Sequence, residues 1–249
     1  LGDADFGLAG GAENMSRSPY VLPDARWGQK MGDTGVVDMM LGALTCPFGT
    51  GHMGVTAENV AAEHEITREA QDIFAAESQA RAARAIGEGR FAEQIVPVEV
   101  KAKREIVAFD TDEHPKATTV ETLAGLRAVF QKEGTVTAGN ASGINDGAAA
   151  LVLANASAAE KAGLTPRARV LGYAHAGVRP EVMGIGPVPA VEALMKRTGL
   201  GISDFDVIES NEAFAAQALA VNKGLGLDPA KVNPNGGAIA LGHPLGMSG

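Results

Sequence analysis

The feature that most constrains the fold is a regular alternation of apolar strands and helices from residue 148 onward. Each apolar run has the length of a strand, and helical segments with cap or stop signals follow the runs. The predicted strands are residues 148–154, 168–174 and 207–209, and the predicted helices are residues 157–163, 189–198 and 212–223. Such alternation favours an α/β layered fold with a largely buried sheet.

The chain before residue 148 is less regular, and we expect residues 15–144 to be an insertion that is rich in loops and hairpins. The elements predicted at the start of the chain are a buried strand over 6–10 and a tight turn at Gly10-Gly11. Those predicted in the insertion are a helix capped by Thr56 that runs through Val60 to His64, a helix capped by Thr67 that runs to about residue 86, a half-buried strand over 96–102, a second strand over 106–109, and a helix over 122–130.

Charge and composition exclude several classes of protein. The chain has a formal net charge of −9, so we expect no nucleic-acid partner and no attraction to anionic membranes. No apolar run approaches the roughly 20 residues that span a bilayer. A single cysteine forms no internal disulfide, and five scattered histidines offer no metal-binding pattern. We therefore expect a cytoplasmic protein without a bound metal.

The segment LTCPFGTGHMG, residues 44–54, contains the only cysteine, Cys46, six residues before His52. Cys46 is either a buried or loop thiol, which we favour, or a nucleophile activated by the histidine. The glycines match the dinucleotide pattern G-x-G-x-x-G, but Pro47 interrupts the strand that such a loop requires. The acidic residue at a tolerable distance, Asp72, is expected on the exposed face of a helix. A third alternative is that the segment lines a substrate pocket.

Two polar residues near the end of the chain and one loop are candidates for function. Asn211 follows a predicted strand and precedes a predicted helix, so its amide either binds a water or an oxyanion or is an ordinary N-cap. His243 lies between Gly242 and Pro244, which position its imidazole, and we interpret it as functional. Ser142 lies in a loop suited to lining a pocket, but the absence of a G-x-S-x-G elbow excludes a serine hydrolase.

Four segments stand in the order seen in thiolases, and the chain resembles the biosynthetic type of this family over essentially all of its 249 residues. The segments are HMGVTAEN, GTVTAGNASGINDGAAA, SNEAFAAQALAVNK and NGGAIALGHPLGMSG. The resemblance implies the thiolase fold, α/β with α-β-α-β-α layers and an inserted loop domain, here incomplete. The implied domains are the end of the N-terminal thiolase domain (1–14), a loop domain for CoA binding and oligomer contacts (15–144), a return to the N-terminal domain (145–166), and the first part of the C-terminal thiolase domain (167–249).

The resemblance also implies a reaction, the Claisen condensation of two acetyl-CoA to acetoacetyl-CoA and CoA, with thiolysis as its reverse. A cysteine carries the acyl group, and the histidine of the GHP motif, His243, activates that cysteine and helps bind a thioester oxygen. The asparagine of NEAF, Asn211, holds a water that completes an oxyanion hole. No resident cofactor is implied, because CoA thioesters are substrates. The positions that match the CoA or pantetheine site are His52, Met53, Phe130, Ala138, Ser142, Met183, Ala213 and Phe214.

The cysteines depart from the thiolase pattern. By the resemblance, the nucleophile would lie shortly before Leu1 and the second catalytic cysteine shortly after Gly249, so neither role transfers to Cys46. We therefore interpret the chain as an internal piece of a longer protein and expect it to be inactive by itself.

Oligomeric state and substrate length are further expectations from the resemblance. Thiolases are dimers or tetramers, and residues 19–37 match their tetramer contact. Lys116 matches the region that meets the adenine end of CoA, although a solvated lysine is the favoured interpretation. Two alternatives stay open, a degradative 3-ketoacyl-CoA thiolase for longer acyl chains and a non-catalytic module that binds acyl-CoA. The histidine of the HMG turn, His52, favours the short-chain enzyme.

Overall fold

The computed structural model describes residues 4–248, which form a mixture of helices and short sheets. The strands are β1 (Phe6–Asn14), β2 (Tyr20–Val21), β3 (Val37–Asp38), β4 (Thr45–Cys46), β5 (Gly51–His52), β6 (Val98–Ala102), β7 (Glu105–Phe109) and β8 (Asp146–Ala154). The α-helices are α1 (Met39–Ala43), α2 (Met53–Glu63), α3 (Arg68–Gly87), α4 (Val120–Ala124), α5 (Ala156–Lys161), α6 (Pro187–Thr198), α7 (Ala215–Leu225), α8 (Ala238–Leu241) and α9 (Leu245–Ser248). Short 3-10 helices lie at Met15–Arg17, Ala25–Trp27, Pro180–Ile185 and Ile202–Asp204.

The longest strand pair is an antiparallel ribbon of β1 and β8. It runs from Phe6 opposite Ala154 to Asn14 opposite Asp146. The strands predicted at these two places are confirmed, and both are longer than predicted. The chain leaves this ribbon at the end of β1 and returns to it at the start of β8. The division into domains proposed around these points stays a prediction.

Gly10 and Gly11 lie inside β1, so the tight turn predicted there is wrong. A Cβ on Gly10 would come 2.6 Å from the carbonyl oxygen of Ala149 in the paired strand. A Cβ on Gly11 would overlap the carbonyl of Gly246, at the start of the last described turn. These glycines therefore permit close approach of other backbone segments rather than a change of chain direction.

The sheets are smaller and more exposed than the sequence predicts. Within residues 4–248 the strands form two-stranded antiparallel ribbons: β1–β8, β2–β3, β4–β5 and β6–β7. The side chains of Leu8 and Val152, in the longest ribbon, are 77% and 74% exposed. The expectation of a largely buried sheet is thus wrong for the described part of the chain. A strand face is buried only where another layer packs on it, and an apolar sequence does not supply that layer.

Three of the predicted strands need correction. Residues 168–174 are not a strand, and among the described residues they pair with none. The strand predicted at 207–209 is reduced to one parallel bridge between Ile208 and Val232. The hairpin of β6 and β7 has the predicted pairing, but all of its residues are exposed rather than half-buried. Short apolar runs become strands only where hydrogen-bonding partners lie alongside them.

Two helices follow the sequence closely. Helix α3 is capped as predicted, because the hydroxyl of Thr67 accepts a hydrogen bond from the amide of Ala70 at 3.1 Å. Helix α6 ends at Thr198 and is followed, as predicted, by Gly199. The φ of Gly199 is 75°, which lies in the left-handed region that glycine adopts without strain. Cap residues adjacent to long helical segments are therefore reliable signals in this chain.

The other helices begin at different residues from those predicted. Thr56 is not a cap but lies inside α2, where its hydroxyl donates to the carbonyl of Met53. Helix α4 is shorter than predicted and begins after Thr119, and α5 begins after Asn155, two residues before the predicted cap at Ser157. Helix α7 begins at Ala215, three residues later than predicted. At α4 the cap is Thr119, whose hydroxyl accepts a hydrogen bond from the amide of Thr122 at 3.2 Å.

The buried core lies where α2, α3, α7 and α8 meet. Its side chains are mostly small, which allows the helices to approach closely. One cluster contains Ala75 of α3, Ala215 of α7 and Ile239 of α8, and another contains Val60 of α2 and Ala220 of α7. This core fixes the N-terminus of α7 and the turn of α8, the two places that carry the candidate functional residues.

Candidate functional site

The β4–β5 hairpin and the start of α2 position His52. Its Nδ1 accepts a hydrogen bond from the amide of Gly54 at 3.0 Å, so the imidazole itself caps α2. Burial lowers the pKa of His52, which favours the neutral ring that this hydrogen bond requires, with the proton on Nε2. Across the ribbon His52 pairs with Thr45, and Cys46 pairs with Gly51. Because neighbouring side chains on a strand point to opposite faces, Cys46 points away from the face that carries Thr45 and His52. The structure therefore does not bring Cys46 and His52 together.

Three aromatic rings form a cluster over the first turn of α2. The ring of His52 stacks on Phe130 with centroids 4.8 Å apart and planes 21° apart. Phe214 meets Phe130 edge to face, with ring centroids 6.2 Å apart and planes 84° apart. A Cβ on Gly54 would overlap the Phe130 ring, so this glycine makes room for the cluster. The dinucleotide interpretation is wrong, because Gly54 belongs to α2 and the loop follows no buried parallel strand.

The loop that contains Ser142 is bound directly to the segment before α7. The amide and the hydroxyl of Ser142 both donate to the carbonyl oxygen of Ala213, at 3.0 and 3.1 Å. Ala141 forms an antiparallel bridge with Phe214. Four predicted pocket residues, Phe130, Ser142, Ala213 and Phe214, are thus joined in one group with His52.

The remaining predicted pocket residues lie around this group. Met53 is the first residue of α2 and is half-buried. Ala138 is exposed in the turn four residues before Ser142. Met183 is 49% exposed in the 3-10 helix Pro180–Ile185, which packs on α2 and α7. The structure thus gives each of these three residues some exposed surface, but it shows no contact between them and the aromatic rings.

Buried polar side chains that the sequence does not predict support this loop. Asn140 is fully buried, and its side-chain amide donates to a carboxylate oxygen of Asp72 at 2.9 Å. Its backbone carbonyl accepts from the backbone amide of Ala215. Asp72 also pairs with Arg68 at 2.7 Å and is only 1% exposed, so its expected position on an exposed helix face is wrong. The signal in the sequence was Asp72 one turn after Arg68 on α3, a spacing that predicts an ion pair.

Asn211 and His243 form the polar centre of the site. The side-chain amide nitrogen of Asn211 lies 3.3 Å from Nε2 of His243. An amide nitrogen only donates, so Nε2 accepts and the proton of the ring is on Nδ1, 2.8 Å from the hydroxyl of Ser248. That hydroxyl in turn lies 3.0 Å from the carbonyl of Pro244. Burial lowers the pKa of His243 and so favours the neutral ring that this chain of hydrogen bonds describes.

The backbone of both residues is fixed by neighbours. The amide of His243 donates to the side-chain oxygen of Asn145 at 3.2 Å, and a Cβ on Gly242 would meet that same oxygen at 2.6 Å. Gly242 has a φ of 100°, which a residue with a side chain adopts only with strain. The carbonyl of Asn211 accepts from the side chain of Gln217 at 3.3 Å. Because α7 begins at Ala215, Asn211 is not its N-cap, and its amide is free to face His243.

The arrangement provides a base and a donor side by side. A neutral Nε2 can take a proton, and after protonation it can donate to a developing negative oxygen together with the Asn211 amide. Among residues 4–248 the structure has no group of three or more metal-ligating side chains and no helix that is long and apolar enough to cross a membrane.

Comparison with known families covers nearly the whole chain in two consecutive parts. The family described as "Thiolase, N-terminal domain" matches residues 1–157, and the one described as "Thiolase, C-terminal domain" matches residues 164–249. The chain belongs to the thiolase family.

Individual relatives share the whole of this chain. Beta-ketothiolase BktB of Cupriavidus necator is 61% identical over 251 residues, covering 100% of this chain and 64% of that protein. The acetyl-CoA acetyltransferase structure from Bacillus anthracis has a TM-score of 0.97 at 48% identity, covering 100% of this chain and 63% of that one. Human mitochondrial 3-ketoacyl-CoA thiolase in complex with CoA has a TM-score of 0.93 at 46% identity, covering 100% and 62%. The fold is thus the thiolase fold, and the chain spans about 64% of the length of the curated relatives it matches.

Proposed function

We propose that the protein is an acetyl-CoA acetyltransferase of the thiolase family, which condenses two acetyl-CoA to acetoacetyl-CoA and CoA and catalyses the reverse thiolysis. The observation that carries the proposal is the contact between Asn211 and His243. Relatives named acetyl-CoA acetyltransferase and beta-ketothiolase support the acyltransfer chemistry.

In the proposed mechanism His243 acts first as a base. Its Nε2 takes the proton of a nucleophilic thiol, the thiolate sulfur bonds to the acyl carbon, and the bond between that carbon and the CoA sulfur breaks. The imidazolium then returns the proton to the departing CoA thiolate. During attack the Nε2 proton and a water held by Asn211 donate to the thioester oxygen. We do not assign the role of nucleophile to Cys46, because it lies in the β4–β5 hairpin and is not among the hydrogen-bonding partners of His243, which are Asn145, Asn211 and Ser248.

The proposed substrates are CoA thioesters, which enter as reactants and not as a resident cofactor. The rings of His52, Phe130 and Phe214 offer an apolar wall with polar edges, and the Ser142 loop lies beside it. Such a wall suits the narrow pantetheine arm of CoA. The similarity to a human thiolase solved in complex with CoA supports this assignment.

Replacing His243 tests the proposal. In the natural full-length gene product, His243→Ala is expected to lower kcat for thiolysis of acetoacetyl-CoA by about 10²- to 10⁴-fold, because the base is removed. The measurement follows loss of the Mg²⁺-enolate absorbance of acetoacetyl-CoA. His175→Ala, which changes an exposed histidine outside this site, is the matched control. Binding of acetyl-CoA without any turnover by the unmodified protein would instead support the non-catalytic module.

A degradative 3-ketoacyl-CoA thiolase is the second candidate. Two structures of human mitochondrial 3-ketoacyl-CoA thiolase, with TM-scores of 0.94 and 0.93, resemble the chain nearly as closely as the acetyltransferases do. His52 at the pocket favours the short-chain enzyme. The ratio of kcat/KM for acetoacetyl-CoA to that for a long 3-ketoacyl-CoA decides the matter, and a ratio below one would favour the degradative enzyme.

We further propose a cytoplasmic homodimer or homotetramer. The 19–37 segment carries Trp27 and Met31, which are 85% and 106% exposed, and large apolar side chains of this kind are enriched at interfaces. Light scattering of the purified full-length protein gives the oligomeric state. A monomer at micromolar concentration would contradict this assignment.

A further inference from the structure

One buried carboxylate that the mechanism does not use lies next to Asn211. Glu212 is 2% exposed, and its two oxygens accept three hydrogen bonds. Oε2 accepts from the hydroxyl of Ser78 at 2.6 Å and from the amide of Ile239 at 3.3 Å, and Oε1 accepts from the side chain of Asn233 at 2.8 Å. Burying a charged side chain is costly unless such donors surround it, so the site is built around this carboxylate.

The three donors come from three different parts of the chain. Ser78 lies on α3, Asn233 lies in the loop before the paired glycines, and Ile239 lies in α8, four residues before His243. Asn233 also forms two hydrogen bonds with the backbone of Ser210, each of 2.7 Å. Through Glu212, the segment that carries Asn211 is therefore tied to the turn that carries His243 and to the long helix behind both.

The glycines of the NPNGG loop make room for this arrangement. A Cβ on Gly237 would overlap the carboxylate of Glu212, and a Cβ on Gly236 would meet the backbone of α3 at 2.8 Å. The hydroxyl of Ser78 accepts a hydrogen bond from the amide of Gly237 at 3.1 Å and donates its own to Glu212. The absence of a side chain at Gly237 thus leaves room for the carboxylate of Glu212.

We propose that Glu212 is a positioning residue for the reaction, because it sets the distance between the Asn211 amide and Nε2 of His243. This inference rests on the proposed function. Both carboxylate oxygens serve as acceptors, so the isosteric amide cannot replace them. The NH₂ group of a glutamine at this position would face one of two donors. In one orientation it meets the side-chain NH₂ of Asn233, and in the other it meets the backbone N–H of Ile239. Either orientation pushes one tied segment away, and displacements of about 1 Å near reacting groups cost about 100-fold in rate.

The test compares two buried carboxylates in the full-length gene product. Glu212→Gln is expected to lower kcat for acetoacetyl-CoA thiolysis by about 10- to 100-fold with KM within about twofold. Glu58→Gln is the matched comparison, because Glu58 is 5% exposed and accepts hydrogen bonds from Thr135 and Val136 of the pocket loop. Glu58→Gln is expected to raise KM for the acyl-CoA, because Glu58 holds the pocket loop. A kcat loss in Glu212→Gln no larger than that in Glu58→Gln would overturn the proposal.

A structural measurement separates this inference from the proposed function. In crystals of Glu212→Gln the distance from the Asn211 amide nitrogen to Nε2 of His243 is expected to exceed the 3.3 Å of the unmodified chain by about 0.5 Å or more. An unchanged distance overturns the inference even if the enzyme is active. Absence of turnover by the unmodified protein refutes the proposed function and leaves the distance test valid.

A milder variant keeps the inference testable if Glu212→Gln does not fold. Ser78→Ala removes one donor without creating a clash, and we expect kcat to fall by about 3- to 10-fold at unchanged KM. A kcat equal to that of the unmodified enzyme would overturn the proposal.

Discussion

Three half-buried histidines are held in different proton arrangements by their neighbours. His52 accepts with Nδ1, and His243 accepts with Nε2. His114 points its Nε2 at the carbonyl of Ile239, so it carries its proton there. Burial lowers the pKa of all three, and the positive charge of Lys116 adds to the effect at His114. Each ring is therefore in a defined neutral form, which is a requirement for a base and for a cap alike.

The lowered pKa of His243 predicts the acid side of the pH profile. Protonation of Nε2 removes the base, so activity is present above the pKa and is lost as the pH falls through it. Because that pKa lies below the ordinary value of 6.5, kcat/KM for thiolysis is expected to remain high at pH 6.5 and to decline only below it. A profile from pH 5 to 8 measures this, and an acid limb with its midpoint above 6.5 contradicts it.

Gly54 gives a prediction about the aromatic cluster. Gly54→Ala is expected to displace the Phe130 ring, because a Cβ would overlap it, and to raise KM for the acyl-CoA by about tenfold or more. Gly42→Ala in α1 is the control, since a Cβ there meets no atom within 4 Å. Steady-state kinetics of the two full-length variants provide the comparison. Equal KM values in both would show that the cluster does not contribute to binding.

At the scale of elements, buried polar side chains attach the pocket loop to two helices. Glu58 of α2 accepts from the amides of Thr135 and Val136, and Asp72 of α3 accepts from Asn140. These charge-assisted hydrogen bonds act together with the side chain of Val136, which is fully buried, to order the loop. The site is thus held by helices that themselves contribute few pocket residues.

The stability of the full-length protein tests this role of α3. Asp72→Ala is expected to reduce the free energy of unfolding by about 2–3 kcal/mol, because Arg68 loses its ion-pair partner and the buried amide of Asn140 loses one of its two acceptors. Thr67→Ala, which removes only the helix cap, is expected to cost about 1 kcal/mol. Urea unfolding followed by circular dichroism measures both. Equal losses in the two variants would mean that the buried network adds nothing beyond an ordinary cap.

At the scale of the whole molecule, the chain exposes more surface than its mass predicts. Its accessible surface is 16615 Å² for 25.5 kDa, whereas a compact monomer of that mass exposes about 10,000 Å². Apolar side chains of β1 and β8 contribute to this surface, since Leu8 is 77% and Leu151 is 69% exposed. Exposed ribbons of this kind are sites for further packing or for aggregation.

The 249-residue chain expressed alone provides a test at this scale. We expect it to bind a hydrophobic dye and to self-associate, because the apolar side chains of the β1–β8 ribbon are exposed. Light scattering and dye fluorescence are the measurements, with the full-length protein as the control. A monodisperse monomer that does not bind dye would contradict this expectation.

The sequence by itself determined the family and most local structure. The NEAF and GHP segments named Asn211 and His243, Thr67 and Gly199 marked helix ends, and the apolar run in β8 predicted a strand, because each of these signals depends on residues that are near one another in the chain. Only the tertiary structure decided which residues support the site. Asp72 was expected on an exposed face and is buried, since its partner Asn140 lies 68 positions away. Burial and buried hydrogen bonds depend on which segments pack together, and no local pattern contains that information.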